Sequence, residues 1–265
     1  MISSAVIDEI SRKEGMNRPN VEKDYFLTLL LDAVADTSLF KDNFVFKGGT
    51  ALRKAYFQNY RYSEDLDFTL KRSLSEKELQ DSFDIALEYI KKEYNAESRI
   101  WEFRSRDYFS DVKIQFIGLE KKKIIITFDL SPKEIIIDPP ENKIILNPYY
   151  EKSFSIETYS LDEILAEKLR SILQRTRVRD YYDAWYLLTL GKKGINDKKV
   201  RSIFMKKVEY KGLEYEGIEQ FLRPEKIEAA KAYYSGQVGS HMKNPPQFDK
   251  IIQELKEALQ ELELN

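Results

Sequence analysis

A short apolar segment that ends abruptly at two glycines constrains the fold of this chain most. Residues 44–46 are typical of a buried strand, and Gly48 and Gly49 break that pattern almost immediately afterwards. Residues 51–57 can then form a helix, and residues 66–70 alternate between apolar and polar side chains as a strand does. The sequence therefore predicts a strand, a glycine turn, a helix and a second strand in succession.

The rest of the amino-terminal part combines further helices and strands. We predict a helix over residues 21–35 that is capped by Asn20, and a second helix over residues 75–94. Residues 112–117 and 124–130 are predicted to pair as a hairpin, and the proline-bearing segment 135–148 to be edge strand and loop.

From residue 161 onward the apolar spacing becomes helical, over residues 161–174, 180–190 and 248–262 and near residues 200 and 226. The expected fold class is therefore α+β (mixed α/β). We expect an α/β domain with a mixed sheet over residues 1–155, followed by a helical bundle over residues 156–265 that completes the cleft.

The residue types present limit the chemistry of the chain. It has no cysteine and one histidine, which excludes disulfides, zinc–thiolate sites and multi-histidine metal sites. A metal site would use oxygen ligands, which hard cations such as Mg²⁺ prefer. The net charge is −2, so any nucleic-acid-binding surface would be local. No apolar stretch approaches the ~20 residues that span a bilayer, so we expect a cytoplasmic protein with no membrane partner.

Two acids on the second predicted strand are candidate metal ligands. The side-chain period of two places Asp65 and Asp67 on one face of the strand. Such close carboxylates repel each other unless a cation lies between them, and a divalent ion there can stabilise charge as phosphate is transferred. Alone, however, the same spacing also occurs by chance on solvated strand edges.

The preceding turn is a candidate phosphate site. Gly48 and Gly49 allow backbone amides to approach a phosphate, Thr50 adds a hydroxyl, and the helix start contributes the positive end of its dipole. Glycine pairs also mark ordinary turns. Together, a phosphate site and paired acids on the next strand supply both halves of a nucleoside triphosphate site, which favours the functional interpretation.

These two motifs resemble those of a known family. Residues 46–52 (FKGGTAL) and 61–68 (RYSEDLDF) resemble the AbiEii/AbiGii nucleotidyltransferase family, and the resemblance extends to residues 21–25, 162–170 and 179–183. Members of this family include toxins of bacterial abortive-infection toxin–antitoxin pairs and the related MenT toxins. The family belongs to the DNA polymerase beta-like nucleotidyltransferase superfamily.

The resemblance implies a polymerase beta-like domain that moves a nucleoside monophosphate from a nucleoside triphosphate (NTP) to an acceptor. RNA, tRNA in particular, is the implied acceptor, and a cognate antitoxin protein is an implied partner. Two Mg²⁺ or Mn²⁺ ions about 4 Å apart would be held by Asp65, Asp67 and a third acid on a later strand, for which Asp129 is the best match. Asp129 could equally form a turn, since a serine and a proline follow soon after it.

Further residues are assigned to the nucleotide. The resemblance implies that its phosphates are bound by Lys47, Gly48, Gly49 and Thr50. Lys168 lies within the apolar stripe of the predicted helix 161–174, where a lysine needs a negative partner. The resemblance places a functional lysine in this helix, so a triphosphate is one candidate partner; the alternative is a lysine that extends to solvent from the rim of the core.

A cluster of arginines is the candidate acceptor-binding surface. Arg175, Arg177 and Arg179 lie near aromatic residues, and arginines interleaved with aromatic rings can bind phosphate and stack on bases. Asp180 belongs to the same region and could instead be a helix N-cap. Ordinary salt bridges in a solvated connection are an equally good interpretation of this region.

Two rival functions remain at this point. One is a nucleotide-binding or protein-binding module without turnover, which the intact acids disfavour. The other is a transferase that acts on a small molecule or a protein, which acceptor screening would separate from RNA modification.

Overall fold

The computed structural model describes residues 1–106 and 109–264, which form two compact units. The first unit comprises Met1–Glu134 and Pro140–Thr158, and the second comprises Ile135–Pro139 and Tyr159–Asn265. Within the described ranges, every helix is too short or too polar to traverse a lipid bilayer.

A mixed sheet forms the centre of the first unit. Its strands are β1 (Phe44–Lys47), β2 (Leu66–Leu70), β3 (Ser98–Arg106), β4 (Phe109–Ile117), β5 (Lys123–Ser131), β6 (Glu141–Ile144) and β7 (Ser155–Thr158). The described strands lie in the order β3-β4-β5-β2-β1-β7-β6. The pairs β2/β5 and β1/β7 are parallel, and the other neighbours are antiparallel. The expected mixed α/β fold class is confirmed.

Helices pack against this sheet and against one another. They are α1 (Ser4–Glu14), α2 (Arg18–Asp36), α3 (Ser38–Asn43), the single-turn α4 (Gly48–Ala51), which continues as a π-turn (Leu52–Tyr56), and α5 (Glu76–Tyr94). Phe26 of α2 stacks on Phe116 of β4, and Phe83 of α5 meets Phe128 of β5 edge to face. Because side chains alternate along a strand, residues between these apolar positions point to the opposite face.

Several predicted elements are confirmed. The strand over residues 66–70 and the hairpin of β4 and β5 are present. Helix α5 follows the Ser75 cap, whose side chain forms a reciprocal capping box with Glu78.

Other expectations are wrong in detail. Helix α2 begins earlier than predicted, at Arg18, because the side chain of Asn17, and not that of Asn20, caps it by accepting from a backbone N–H. Strands β3 and β7 and helix α1 were not predicted. Most of β3 is exposed or half-exposed, so it lacks the apolar alternation that identifies a strand.

The second unit is helical in the part that the structure describes. It contains α6 (Leu161–Gln174), α7 (Val178–Leu188), α8 (Asp197–Tyr210), α9 (Pro224–Gln237) and α10 (Phe248–Glu261). Helix α6 packs against α7 and α8, and α7 also contacts α9 and α10. Ser160 caps α6, and the Glu163 carboxylate accepts from the backbone N–H groups of Ile137 and Asp138, which fixes the Ile135–Pro139 segment to this helix. That these helices complete a cleft stays a prediction.

Candidate active site

A row of charged residues crosses the sheet of the first unit. Lys47 of β1 is paired in register with Asp67 of β2, Asp67 with Asp129 of β5, and Asp129 with Asp111 of β4. The last partner in the row is Arg104 of β3. Residues paired in this way share a face of the sheet, so three acids occupy successive positions of the row, with a basic residue at each end. Sequence analysis identified Asp67 and Asp129 but missed Asp111, which only the strand register reveals.

Asp65 lies outside this row. It lies one residue before β2, so the strand register does not locate its side chain, and its expected place on the same face as Asp67 stays a prediction. Its backbone carbonyl accepts a hydrogen bond from the Thr50 hydroxyl at 2.5 Å. Thr50 is fully buried, and its hydroxyl fixes the backbone at Asp65; that Thr50 also binds phosphate stays a prediction.

Gly48 makes the closest approach to the acids. The glycine turn is tight, because α4 begins at Gly48 directly after β1. Gly48 has a φ of +79°, and a Cβ there would lie 2.3 Å from Oδ2 of Asp67. Only glycine therefore fits, both for its backbone conformation and for the space that Asp67 takes. The first N–H groups of a helix lack carbonyl partners within it, and those of α4 start next to the Asp67 carboxylate, because Gly48 lies against that side chain.

Lys47 is buried at the end of β1, although it is charged. Its Nζ donates to Oγ of Ser131 at 3.4 Å, and its register position lies next to Asp67. Lys47 therefore forms one end of the row, next to Asp67.

The donor set of the row fits a hard divalent cation. Asp67 and Asp129 are half-buried on neighbouring strands, which lie about 4.8 Å apart, and carboxylate oxygens suit Mg²⁺ and Mn²⁺. Among the described residues, no three Asp, Glu, His or Cys side chains are gathered closely enough to form a complete metal-binding group. That arrangement still suits Mg²⁺, which is commonly bound by one or two carboxylates together with substrate phosphates.

A buried ionic network, which the sequence analysis missed, holds the segment after α4. Asp24 of α2 accepts from Arg53 at 3.1 Å and forms an ion pair with Lys54, both in the π-turn. Tyr149 also donates to Asp24, at 2.6 Å. Burial disfavours the charged carboxylate, but Lys54 and Arg53 outweigh it and lower the pKa of Asp24. The available signal was an acid directly before the mostly apolar stretch 25–31 of this helix.

Lys168 lies in a second buried ionic cluster, in the second unit. Its Nζ is 2.8 Å from Oδ1 of Asp180 and 2.8 Å from Oδ2 of Asp183. Burial acts to lower the pKa of Lys168, but the two aspartates more than offset it and raise the pKa above its usual value. The negative partners that the sequence required are therefore present in the protein itself, and Lys168 is held as a cation by α7.

The candidate acceptor-binding arginines have different partners. Arg175 Nε is 3.0 Å from Oδ2 of Asp180, and Arg179 Nε donates to the backbone carbonyl of Gln237 at 3.3 Å. Arg177 occupies the N-cap position of α7, and its side chain is exposed. Asp180 lies within the first turn of α7 and is not the N-cap, so that alternative is wrong.

The sequence matches a known protein family. The sequence model of the family described as "Nucleotidyl transferase AbiEii toxin, Type IV TA system" matches residues 29–260. Among curated protein sequences, none matches the chain significantly.

Solved structures share its fold. The nucleotidyltransferase toxin MenT4 from Mycobacterium tuberculosis H37Rv superposes with a TM-score of 0.72 at 19% identity, over 99% of this chain and 90% of that one. A putative nucleotidyltransferase from H. pylori gives a TM-score of 0.62 at 14% identity, over 93% of this chain and 96% of that one. The family match spans most of the sequence, and it includes the glycine segment, the row of acids and the Lys168 cluster. The chain therefore belongs to the AbiEii nucleotidyl transferase toxin family and is a nucleotidyltransferase.

Proposed function

We propose that the protein is the toxin of a toxin–antitoxin pair and transfers a nucleoside monophosphate from an NTP to RNA, tRNA in particular. The observation that carries this proposal is the register of Asp67 beside Asp129, with Gly48 against the Asp67 carboxylate. A cognate antitoxin protein is the expected partner. The family assignment and the fold of MenT4 support the proposal.

In the proposed reaction an acceptor hydroxyl attacks the α-phosphorus of the NTP. The new P–O bond forms as the bond to the β-phosphate oxygen breaks, pyrophosphate leaves, and the hydroxyl proton passes to a carboxylate or to solvent. A bound Mg²⁺ or Mn²⁺ would supply Lewis-acid stabilisation of the charge that develops on the phosphates.

Different residues would bind the cation and the phosphates. Asp67 and Asp129 would hold the cation, with Asp65 as a further ligand. Lys47 and the segment Gly48, Gly49 and Thr50, through its backbone N–H groups and the Thr50 hydroxyl, would bind the phosphates. Lys168, kept protonated by Asp180 and Asp183, would neutralise phosphate charge without a change in its own protonation.

The test is the pair of variants Asp67→Asn and Asp129→Asn. The amides keep the side-chain shape but lose the charge that holds a metal ion, so we expect turnover to fall by at least ~100-fold while the circular dichroism spectrum is unchanged. The assay incubates pure protein with each labelled NTP, MgCl₂ and total tRNA. Full turnover in both folded variants would rule out the assignment.

The acceptor is tested in the same assay. Small molecules and proteins from a bacterial extract are offered in parallel with RNA. If either is labelled and RNA is not, the enzyme belongs to the small-molecule or protein-modifying class.

A further inference from the structure

Trp101 is an aromatic side chain exposed at an irregularity of the sheet. The β3–β4 ladder pairs Ile100 with Ile114 and then Glu102 with Lys113, so Trp101 is the extra residue of a β-bulge. The side chain is 50% exposed. Bulges commonly redirect a side chain, and at this bulge a large aromatic surface lies exposed.

Two cations flank this ring. The guanidinium carbon of Arg99 is 5.0 Å from the Trp101 ring centroid, and Nζ of Lys123 is 5.9 Å from it. Arg99 and Lys123 are both exposed. We call Arg99, Trp101 and Lys123 the cationic platform.

The platform shares a sheet face with the acids of the active site. Arg99 is paired with Gln115, and Gln115 with Ile125 of β5. Ile125 and Asp129 are separated by an even number of residues on β5, so their side chains point to the same face. Lys123 begins β5 and Asp129 lies near its end, which at about 3.3 Å per residue is a span of ~20 Å.

We propose that the cationic platform binds the acceptor RNA, with a base stacked on Trp101 and the adjoining phosphates neutralised by Arg99 and Lys123. This inference rests on the proposed function, since it takes the acceptor to be RNA. A few nucleotides of a strand that runs along β5 bridge the distance from the platform to Asp129. Every base has a face that can stack on an aromatic ring, so the platform recognises single-stranded RNA with little sequence preference.

A protein partner fits this surface less well. Strand β3 is an edge of the sheet, where a partner could add a strand. Its exposed residues, however, include Arg99, Arg104, which is ion-paired with Glu102, and Arg106, and the bulge interrupts its ladder. Charged edges and bulges oppose pairing with a further strand. The positive side chains, in contrast, attract the phosphates of a polyanion.

The fluorescence of Trp101 tests the proposal directly. The chain has two tryptophans, and Trp185 is buried with its indole N–H bonded to Glu254 at 2.8 Å. Titration of the full chain with oligouridylate or total tRNA, without NTP or metal, should quench tryptophan emission. Quenching should be lost in Trp101→Phe if the stacked ring is the reporter, and the affinity measured with labelled RNA should fall about tenfold in Trp101→Ala.

The charges are tested by the double variant Arg99→Ala/Lys123→Ala. Loss of two phosphate contacts should lower the slope of log K against log salt by about 1.4. Lys91→Ala/Lys92→Ala removes the same charge from exposed positions of α5, and Tyr233→Ala removes an exposed ring from the second unit. Neither control should change RNA affinity.

The outcomes separate this proposal from the proposed function. Unchanged RNA affinity in both platform variants overturns the platform, and so does emission that responds to a purified antitoxin but not to RNA. RNA that quenches Trp101 but is never labelled supports the platform and counts against the proposed acceptor. In the transfer reaction, platform variants should raise KM for RNA and leave kcat nearly unchanged, because they lie away from the reacting atoms.

Discussion

At the scale of single residues, two features exclude a side chain at position 48: the backbone conformation of Gly48 and the space that Asp67 takes. Its φ of +79° strains any residue with a side chain, and a Cβ would meet Asp67 at 2.3 Å. We therefore expect Gly48→Ala to lower the free energy of unfolding by about 2–4 kcal/mol, from strain and overpacking together, and to reduce kcat/KM by about 100-fold because Asp67 must move. Urea unfolding and the transfer assay measure the two effects.

Gly212 provides the matched control for this prediction. Its φ is +60°, but a Cβ there would meet nothing within 4 Å. Gly212→Ala should therefore cost only about 1 kcal/mol of backbone strain and leave turnover unchanged. Equal losses in the two variants would show that the contact with Asp67 is unimportant.

At the scale of elements, Asp24 joins α2 to the π-turn that follows the glycine segment. Asp24→Asn keeps the shape of the side chain but leaves Arg53 and Lys54 buried without their carboxylate. Removing one partner from a buried ion pair costs about 3–5 kcal/mol, whereas Asp81→Asn, in the exposed pair with Lys77, should cost less than about 1 kcal/mol. Chemical denaturation of both variants checks the difference.

The pH dependence of stability distinguishes the charge of Asp24 from its shape. The pKa of Asp24 is lowered in the folded chain, so its carboxylate stabilises the fold above the unfolded value of ~4. That contribution is lost as the pH falls through the lower, folded pKa. Below pH ~4, the unfolding free energy should therefore fall less steeply in Asp24→Asn than in the wild type. Parallel curves would mean that the carboxylate is not the stabilising form.

Elements with strong local signals could be predicted from the sequence, and those defined by distant partners could not. Helix α5 has a capping box and β2 has clean alternation, so both are local properties. Strand β7 is short, and its place beside β1 depends on pairing of Phe46 with Thr158, far along the chain. The candidate active site shows the same division. Asp67 could be found from the sequence because it lies in a recognisable motif, whereas Asp111 joins the row of acids only through the strand register.

At the scale of the whole molecule, positive and negative charges nearly balance, so only local clusters of charge can attract a partner. The net charge of −2 gives no overall attraction to a polyanion, so RNA binding must depend on local cationic surface. The arginines around Arg177 formed the sequence-based candidate, but Arg175 is paired with buried Asp180 beside Lys168. Neutralising the three arginines together would thus disturb the Lys168 cluster as well, whereas the cationic platform consists of other residues.

Growth of a bacterium that expresses the chain without an antitoxin tests toxicity, catalysis and RNA binding together. If transfer to RNA is the toxic activity, induction of the wild type should slow growth, and Asp67→Asn at the same protein level should abolish the effect. Arg99→Ala/Lys123→Ala should give intermediate growth, because it weakens acceptor binding but keeps Asp67 and Asp129. RNA from the arrested culture should carry the added nucleotide in proportion to the growth defect. Equal toxicity of Asp67→Asn would separate growth arrest from nucleotidyl transfer, since that variant keeps the surface of the protein and loses only the charge that holds the metal ion.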